Sequence, residues 1–204
     1  MGFTDNIRMM PPVTKNLLFI NVLIYLAMAA FKPLEGFLTQ YGALYYITSD
    51  QFIPTQLFSY MFIHASFLHL FFNMFALYMF GITMERVLGG PKFLFYYISC
   101  GLGAALVQEG VFHTPTIGAS GAIFGILLAF GYMFPNVRLY LIFPPVPIKA
   151  RIFVLIYAGV ELLLGIYNSQ ADTVAHFAHL GGMLFGLLIL IYWRKKRVIG
   201  GPYF

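Results

Sequence analysis

Six long apolar runs organise the chain, at about residues 16–31, 57–80, 92–109, 119–134, 149–166 and 175–193. Within each run the apolar residues are continuous. They do not alternate with polar ones as they would in the strands of a membrane barrel, so each run predicts a helix. Breakers separate them: Lys32-Pro33, Gly89-Gly90-Pro91, Thr114-Pro115, Pro144-Pro145-Val146-Pro147 and Asn168-Ser169. A membrane span needs about 20 residues. The first and fourth runs are short, so they tilt little or start below the membrane surface. No repeat, low-complexity tract or second domain interrupts the pattern. The expected architecture is an all-α membrane protein, a bundle of six transmembrane helices over residues 16–193. A short segment, 1–15, precedes it and a basic tail, 194–204, follows.

Composition agrees with burial in lipid. Of 204 residues, 60% are hydrophobic and only 9% charged, and the mean hydropathy is +0.82. A soluble domain is nearer a quarter charged. Lipid leaves no backbone group unsatisfied, which restricts spans to helices or closed barrels. The pI of 9.3 would suit a nucleic-acid partner, but the placement of the basic residues points elsewhere. Arg8, Lys15, Arg86, Lys92, Arg138, Lys149, Arg151, Arg194, Lys195, Lys196 and Arg197 all fall on one side of a six-span topology. Only Lys32 falls on the other. The positive-inside rule then puts both termini in the cytoplasm, in a plasma or bacterial inner membrane, and leaves no call for nucleic acid. Tyr192-Trp193 before the last basic cluster reads as an interfacial anchor. The N-terminus lacks the short apolar core and cleavage site of a signal peptide, so the first run is expected to be a retained helix. The single cysteine, Cys100, lies among apolar residues. It excludes an internal disulfide and reads as a packing residue.

Polar groups inside spans are costly and tend to be functional. The second run carries His69 and Asn73, four apart and on one helical face. The fourth begins at Ser120 within Gly118-Ala119-Ser120-Gly121, and the sixth carries His176 and His179. All three helices enter from the side opposite the positive charge, so one site could collect these groups. Gly121 and Gly125 on the fourth helix and Gly182 and Gly186 on the sixth are small-xxx-small pairs that let backbones touch. They are either plain helix packing or the means of bringing Ser120 to His179. In the second case Ser120 is a nucleophile and His179 its general base. The Asn73 amide, a His69 ring N–H and the free Ser120 backbone N–H would be donors for a developing oxyanion. No carboxylate has an evident place beside His179. Asp172, the nearest in sequence, falls in a predicted loop, so a dyad is expected and not a triad. The position two after Ser120 is Ala122 and no strand precedes the serine, which excludes the soluble hydrolase elbow.

The segments "HLFFN", "GASGAIFG" and "AHFAHLGGMLFG", in this order on the second, fourth and sixth runs, resemble the rhomboid family of intramembrane serine proteases. The likeness covers about residues 16–193. It implies Ser120 as nucleophile, His179 as base, and His69 and Asn73 at the oxyanion site. Gly118, Gly121, Phe124, Gly125, Gly182 and Gly186 would pack around them. It also implies a water-filled cavity open to the non-cytoplasmic side and transmembrane-helix protein substrates in the bilayer. Similar enzymes cut near helix-destabilising residues and need no metal or cofactor. Two positions depart from the pattern. Phe124 stands where some members carry tyrosine against the histidine. Thr55-Gln56 stands where some carry a Trp-Arg pair, which puts the anchoring of the first loop in question. Glu85-Arg86 reads as a structural pair at the cytoplasmic end.

Three residues stay open on sequence grounds. His64 is off the face of His69 and is expected to hydrogen-bond near the surface. His176 is placed to meet water or a loop carbonyl. Glu161 reads as a protonated or interface-facing glutamate, with a proton relay as the alternative. A metal centre from the histidines lacks a His-Glu-x-x-His signature, and tight glycine packing leaves little room for a haem. The rival classes are a non-catalytic binder of transmembrane helices, which would lack the serine or the histidine, and a small channel, which would want polar groups along its whole depth.

Overall fold

The structure is a computed structural model and describes residues 9–111, 114–140, 146–167 and 174–199. In chain order the elements are α1 (Pro12–Ala30), α2 (Lys32–Gly42), α3 (Gln56–Ser59), a 3₁₀ turn (Tyr60–Phe62), α4 (Phe67–Leu88), α5 (Gly90–Val111), α6 (Ser120–Met133), β1 (Arg138–Tyr140), β2 (Pro147–Lys149), α7 (Ala150–Ile166) and α8 (His176–Lys195). Each of the six apolar runs overlaps one of the helices α1, α4, α5, α6, α7 and α8. Four of these, α1, α4, α5 and α8, are long and apolar enough to cross a membrane. The helices α6 and α7 have 14 and 17 residues and fall short of that length.

Three boundaries differ from the pattern-based expectation, each for a local reason. The second run does not form one helix over 57–80. Ile63 is extended, and Ser66 caps a new helix, accepting the His69 backbone N–H at 3.2 Å. That helix, α4, passes through a π-helical stretch at Leu77–Gly81 and ends only at Gly89, whose φ of +78° suits glycine. Lys32-Pro33 breaks α1 as expected, but it also opens the unforeseen α2, because proline is tolerated in a first helical turn. The helix α1 starts at Pro12, ahead of residue 16. The buried Glu85 carboxylate takes the Val13 and Thr14 backbone N–H groups at 2.9 and 2.6 Å and the Thr14 hydroxyl at 2.7 Å. An anion at a helix N-terminus satisfies orphan donors and the dipole together. Glu85 thus clamps α1 to the end of α4, while the neighbouring Arg86 donates to the Met9 carbonyl.

The basic ends of the helices meet one another. Lys92 at the start of α5 donates to the Val198 carbonyl, Arg194 donates to the Tyr132 hydroxyl, and Arg138 pairs with Lys149 in the β1–β2 hairpin. At the opposite end, Leu44 and Thr116 form a backbone bridge, the Gly118 N–H donates to the Tyr60 carbonyl, and the Ile47 N–H donates to Glu109. Among the described residues α6 is the central helix. Ten of its fourteen residues are buried, against α5, α8, α7 and α4. A helix of this length rises about 21 Å, less than the longer helices around it.

Gln56 answers the question left by the first loop. Its side chain is fully buried. The amide oxygen accepts from the Tyr45 and Ile53 N–H groups, and the amide nitrogen donates to the Gln51 carbonyl at 2.9 Å. One amide thereby ties three points of the loop without an arginine.

Candidate active site

Glycines decide where Ser120 lies. A Cβ added at Gly182 of α8 would run into the Gly121 carbonyl oxygen and sit 2.7 Å from its carbonyl carbon. The α6 and α8 backbones therefore touch at this one crossing, beside Ser120 and one turn after His179. Gly125 also faces α8, where an added Cβ would sit 3.0 Å from the Gly182 carbonyl oxygen, but side chains added at Gly125 and Gly186 would first meet Cys100 and Tyr96, both on α5. The Tyr96 hydroxyl reaches into this groove and donates to the Gly125 carbonyl at 2.9 Å. The seam is thus a three-helix one. Gly121 and Gly182 join α6 to α8, and Gly125 and Gly186 admit α5. Cys100 is buried inside it, as a packing residue should be.

At that crossing Ser120 Oγ and His179 Nε2 are 2.7 Å apart, a hydrogen-bond distance. Ser120 is half-buried at the first turn of α6, and His179 is buried. The Phe124 ring stacks on the imidazole with centroids 4.2 Å apart and planes 6° from parallel. Aromatic stacking at position 124 therefore holds the histidine without a hydroxyl.

His69 and Asn73 lie on α4. A Cβ added at Gly118 would sit 2.7 Å from His69 Nε2 and 3.8 Å from Ser120 Oγ. The bare Gly118, whose φ is +121°, keeps open the space between the histidine and the serine. Asn73 is buried, and its amide donates to the His69 carbonyl at 2.8 Å. An amide NH2 carries two hydrogens and this bond uses one.

The other side of His179 corrects the expectation that no carboxylate has a place there. A carboxylate does stand beside it. Glu161 Oε2 of α7 lies 2.9 Å from His179 Nδ1 and 2.6 Å from His176 Nδ1. All three residues are buried, so Glu161 is neither solitary nor facing an interface, and His176 meets a carboxylate in place of a loop carbonyl. Asp172 lies outside the described residues. What brings Glu161 here is the approach of α7 to α8: a Cβ at Gly165, one turn on, would sit 2.7 Å from the Phe177 ring. The three groups offer ligand atoms within 4.8 Å of one another. Both Nδ1 atoms, however, converge on a single oxygen at hydrogen-bond distances. We assign hydrogen bonds there.

His64 also departs from expectation. It is buried, its ring meets His69 edge-on at 5.0 Å, and neither of its nitrogens has a hydrogen-bond partner among the described residues. Burial, and then the neighbouring His69, push its pKa down to about 4.

A family model described as "Rhomboid domain" matches residues 52–196. "Rhomboid protein 1, mitochondrial" of Saccharomyces cerevisiae is 32% identical over 209 aligned residues, covering 91% of this chain and 57% of the yeast protein. "Rhomboid protease AarA" of Providencia stuartii is 31% identical over 204 residues, covering 88% of this chain and 71% of that protein. The human "Presenilin-associated rhomboid-like protein, mitochondrial" is 34% identical over 153 residues, 67% of this chain and 38% of the human protein. The chain thus spans little more than half the length of the yeast relative and well under half of the human one.

Proposed function

This chain belongs to the rhomboid family, and on that premise we propose that it is an intramembrane serine endopeptidase acting on transmembrane helices of other proteins. The observation that carries the reading is the 2.7 Å contact between Ser120 Oγ and His179 Nε2 at the buried start of α6. In the proposed reaction Ser120 Oγ attacks the scissile carbonyl carbon and its proton passes to His179 Nε2. The carbonyl electron pair moves onto oxygen, where the Ser120 backbone N–H, His69 and the Asn73 amide receive it. The C–N bond then breaks, and His179 returns the proton to the leaving amine. Water, entering from the end of the bundle opposite the basic residues, attacks the acyl-enzyme by the same route in reverse. One relative is named a protease, which supports the class. No step needs a metal or a cofactor.

The six apolar helices of residues 16–193 form the catalytic membrane domain in this reading. The clustered Lys and Arg side, with both termini, faces the cytoplasm. The relatives' names include mitochondrial proteins, and a reporter fused after Phe204 tests the orientation directly. Activity of a reporter that works only outside the cytoplasm would overturn it.

The decisive experiment is cleavage of a model transmembrane substrate by the purified full chain. Ser120→Ala and His179→Ala should each lower turnover by ~10³-fold or more, and the double variant should be no worse, because the two act as one unit. Wild-type turnover by Ser120→Ala, or binding of such helices by the wild type without any cleavage, would sink the proposal.

A further inference from the structure

A serine and a histidine account for the reaction, yet the structure buries an acid behind the histidine, on α7. We propose that Glu161 is a positioning residue that extends the pair to a Ser120–His179–Glu161 triad, with His176 holding the carboxylate in place. This rests on the reading of Ser120 as nucleophile and His179 as base, and goes beyond it.

Glu161 acts first on the imidazole tautomer. A neutral ring has one N–H and one lone pair, and either nitrogen can carry the hydrogen. A base facing Ser120 needs the lone pair on Nε2. Glu161 Oε2, 2.9 Å from Nδ1, accepts the hydrogen there and so selects the tautomer that points its lone pair at Ser120 Oγ. The same bond fixes the ring's rotation, which Phe124 stacking alone fixes only as a plane.

The second step concerns charge. When Nε2 takes the serine proton, the ring becomes an imidazolium inside an apolar bundle. An anion beside Nδ1 stabilises it, and the effect grows as local polarity falls. The carboxylate keeps its electrons and gains no proton; the proton that arrives at Nε2 leaves by Nε2 for the departing amine. Among the described residues, the titratable groups around His179 are His69 from α4, Glu161 from α7 and His176 from its own helix, with the Ser120 hydroxyl from α6. Glu161 is the one anion among them.

The third step is the part played by His176. A carboxylate in a membrane helix is expensive unless its oxygens are satisfied. His176 Nδ1 lies 2.6 Å from the very oxygen that faces His179. Two N–H donors converging on one oxygen leave Glu161 as acceptor to both, and they hold it in one orientation. The histidine one turn before the base is explained by this and by nothing in the two-residue mechanism.

A purely structural role, bridging α7 to α8, is the competing account, and substitution separates the two. The readouts are kcat and KM on a model transmembrane substrate, the rate at which a fluorophosphonate labels Ser120, and the thermal midpoint, all on full-length protein in one detergent. Removing one partner of a buried hydrogen-bonded cluster leaves the other groups unsatisfied and destabilises. Glu161→Met should therefore lower the midpoint, and per folded molecule kcat and the labelling rate should fall about 10²-fold or more while KM stays within about twofold. Glu161→Gln keeps an acceptor oxygen but no charge, and should fall between Met and wild type. His176→Gln, which can still donate to Oε2, should cost about tenfold in kcat. If Glu161→Met labels at the wild-type rate per folded molecule, the triad is wrong whatever the midpoint does. Failure of the serine-protease reading looks different: the wild type itself would neither cut nor label.

Discussion

The most demanding prediction concerns Gly182, a residue the reaction never touches. In Gly182→Ala the new methyl would meet the Gly121 peptide: its carbonyl oxygen, its carbonyl carbon at 2.7 Å and its Cα at 3.3 Å. Every neighbour is backbone, so no side chain can swing aside. Ordinary carbon–carbon contact begins near 3.5 Å, which requires α6 and α8 to part by roughly 1 Å. Ser120 precedes Gly121 directly and His179 is one turn from Gly182, so their 2.7 Å contact opens to beyond hydrogen-bond reach, about 3.2 Å. A 1 Å misplacement costs on the order of 10²-fold in rate. Overpacking of this kind also costs about 1–3 kcal/mol of stability. The assay is steady-state cleavage of a fluorescent transmembrane peptide with thermal unfolding in the same detergent. The control is Gly159→Ala, where an added Cβ meets nothing within 4 Å and helix propensity favours alanine. Gly182→Ala should lose kcat and melt earlier, while Gly159→Ala should keep its rate and match or exceed wild-type stability. If Gly182→Ala retained both rate and stability, the backbone crossing could not be what aligns the serine with its base.

Four further outcomes follow from the same geometry. Gly118→Ala puts a methyl against His69 Nε2 on a backbone with φ of +121°. It should cut kcat by ~10²–10³ while substrate binding persists, as rate and binding measurements would show; an unchanged kcat would remove His69 from the oxyanion site. Glu85→Ala strips three hydrogen bonds from the start of α1 and should cost about 2–3 kcal/mol, read by chemical unfolding, with less effect on kcat per folded molecule. His64 refuses a proton until about pH 4, whereas an unfolded histidine takes one near 6.5. Its contribution to stability is therefore intact above pH 6.5 and declines as pH falls toward 4. The melting point should drop less between pH 7 and pH 5 in His64→Gln than in wild type, and equal slopes would count against the buried neutral ring. EDTA should leave cleavage unchanged, and a loss restored by added metal would turn Glu161, His176 and His179 into a metal site.

What the sequence determined by itself rests on short-range periodicity. Continuous apolar runs mark six helices because lipid makes every backbone group find its partner within the helix. The i, i+4 spacing put His69 and Asn73 on one face, and the glycines on α6 and α8 announced a close approach of those helices, which meet at Gly121 and Gly182. Boundaries were less legible. Ser66 ends one apolar run and starts a new helix inside it, a capping event that hydrophobicity does not register. Tertiary structure alone decided which way each helix turns its polar side chains. The helix α7 is apolar on nearly every side, so nothing in its pattern says that Glu161 looks toward α8; Gly165 against Phe177 sets that rotation. The involvement of α5 in the glycine seam, and the burial of Gln56 beneath the first loop, are likewise contacts between segments remote in sequence. Local pattern constrains a helix along its axis, whereas rotation about that axis is chosen by the neighbours it packs against, and in this protein that rotation places the acid behind the histidine.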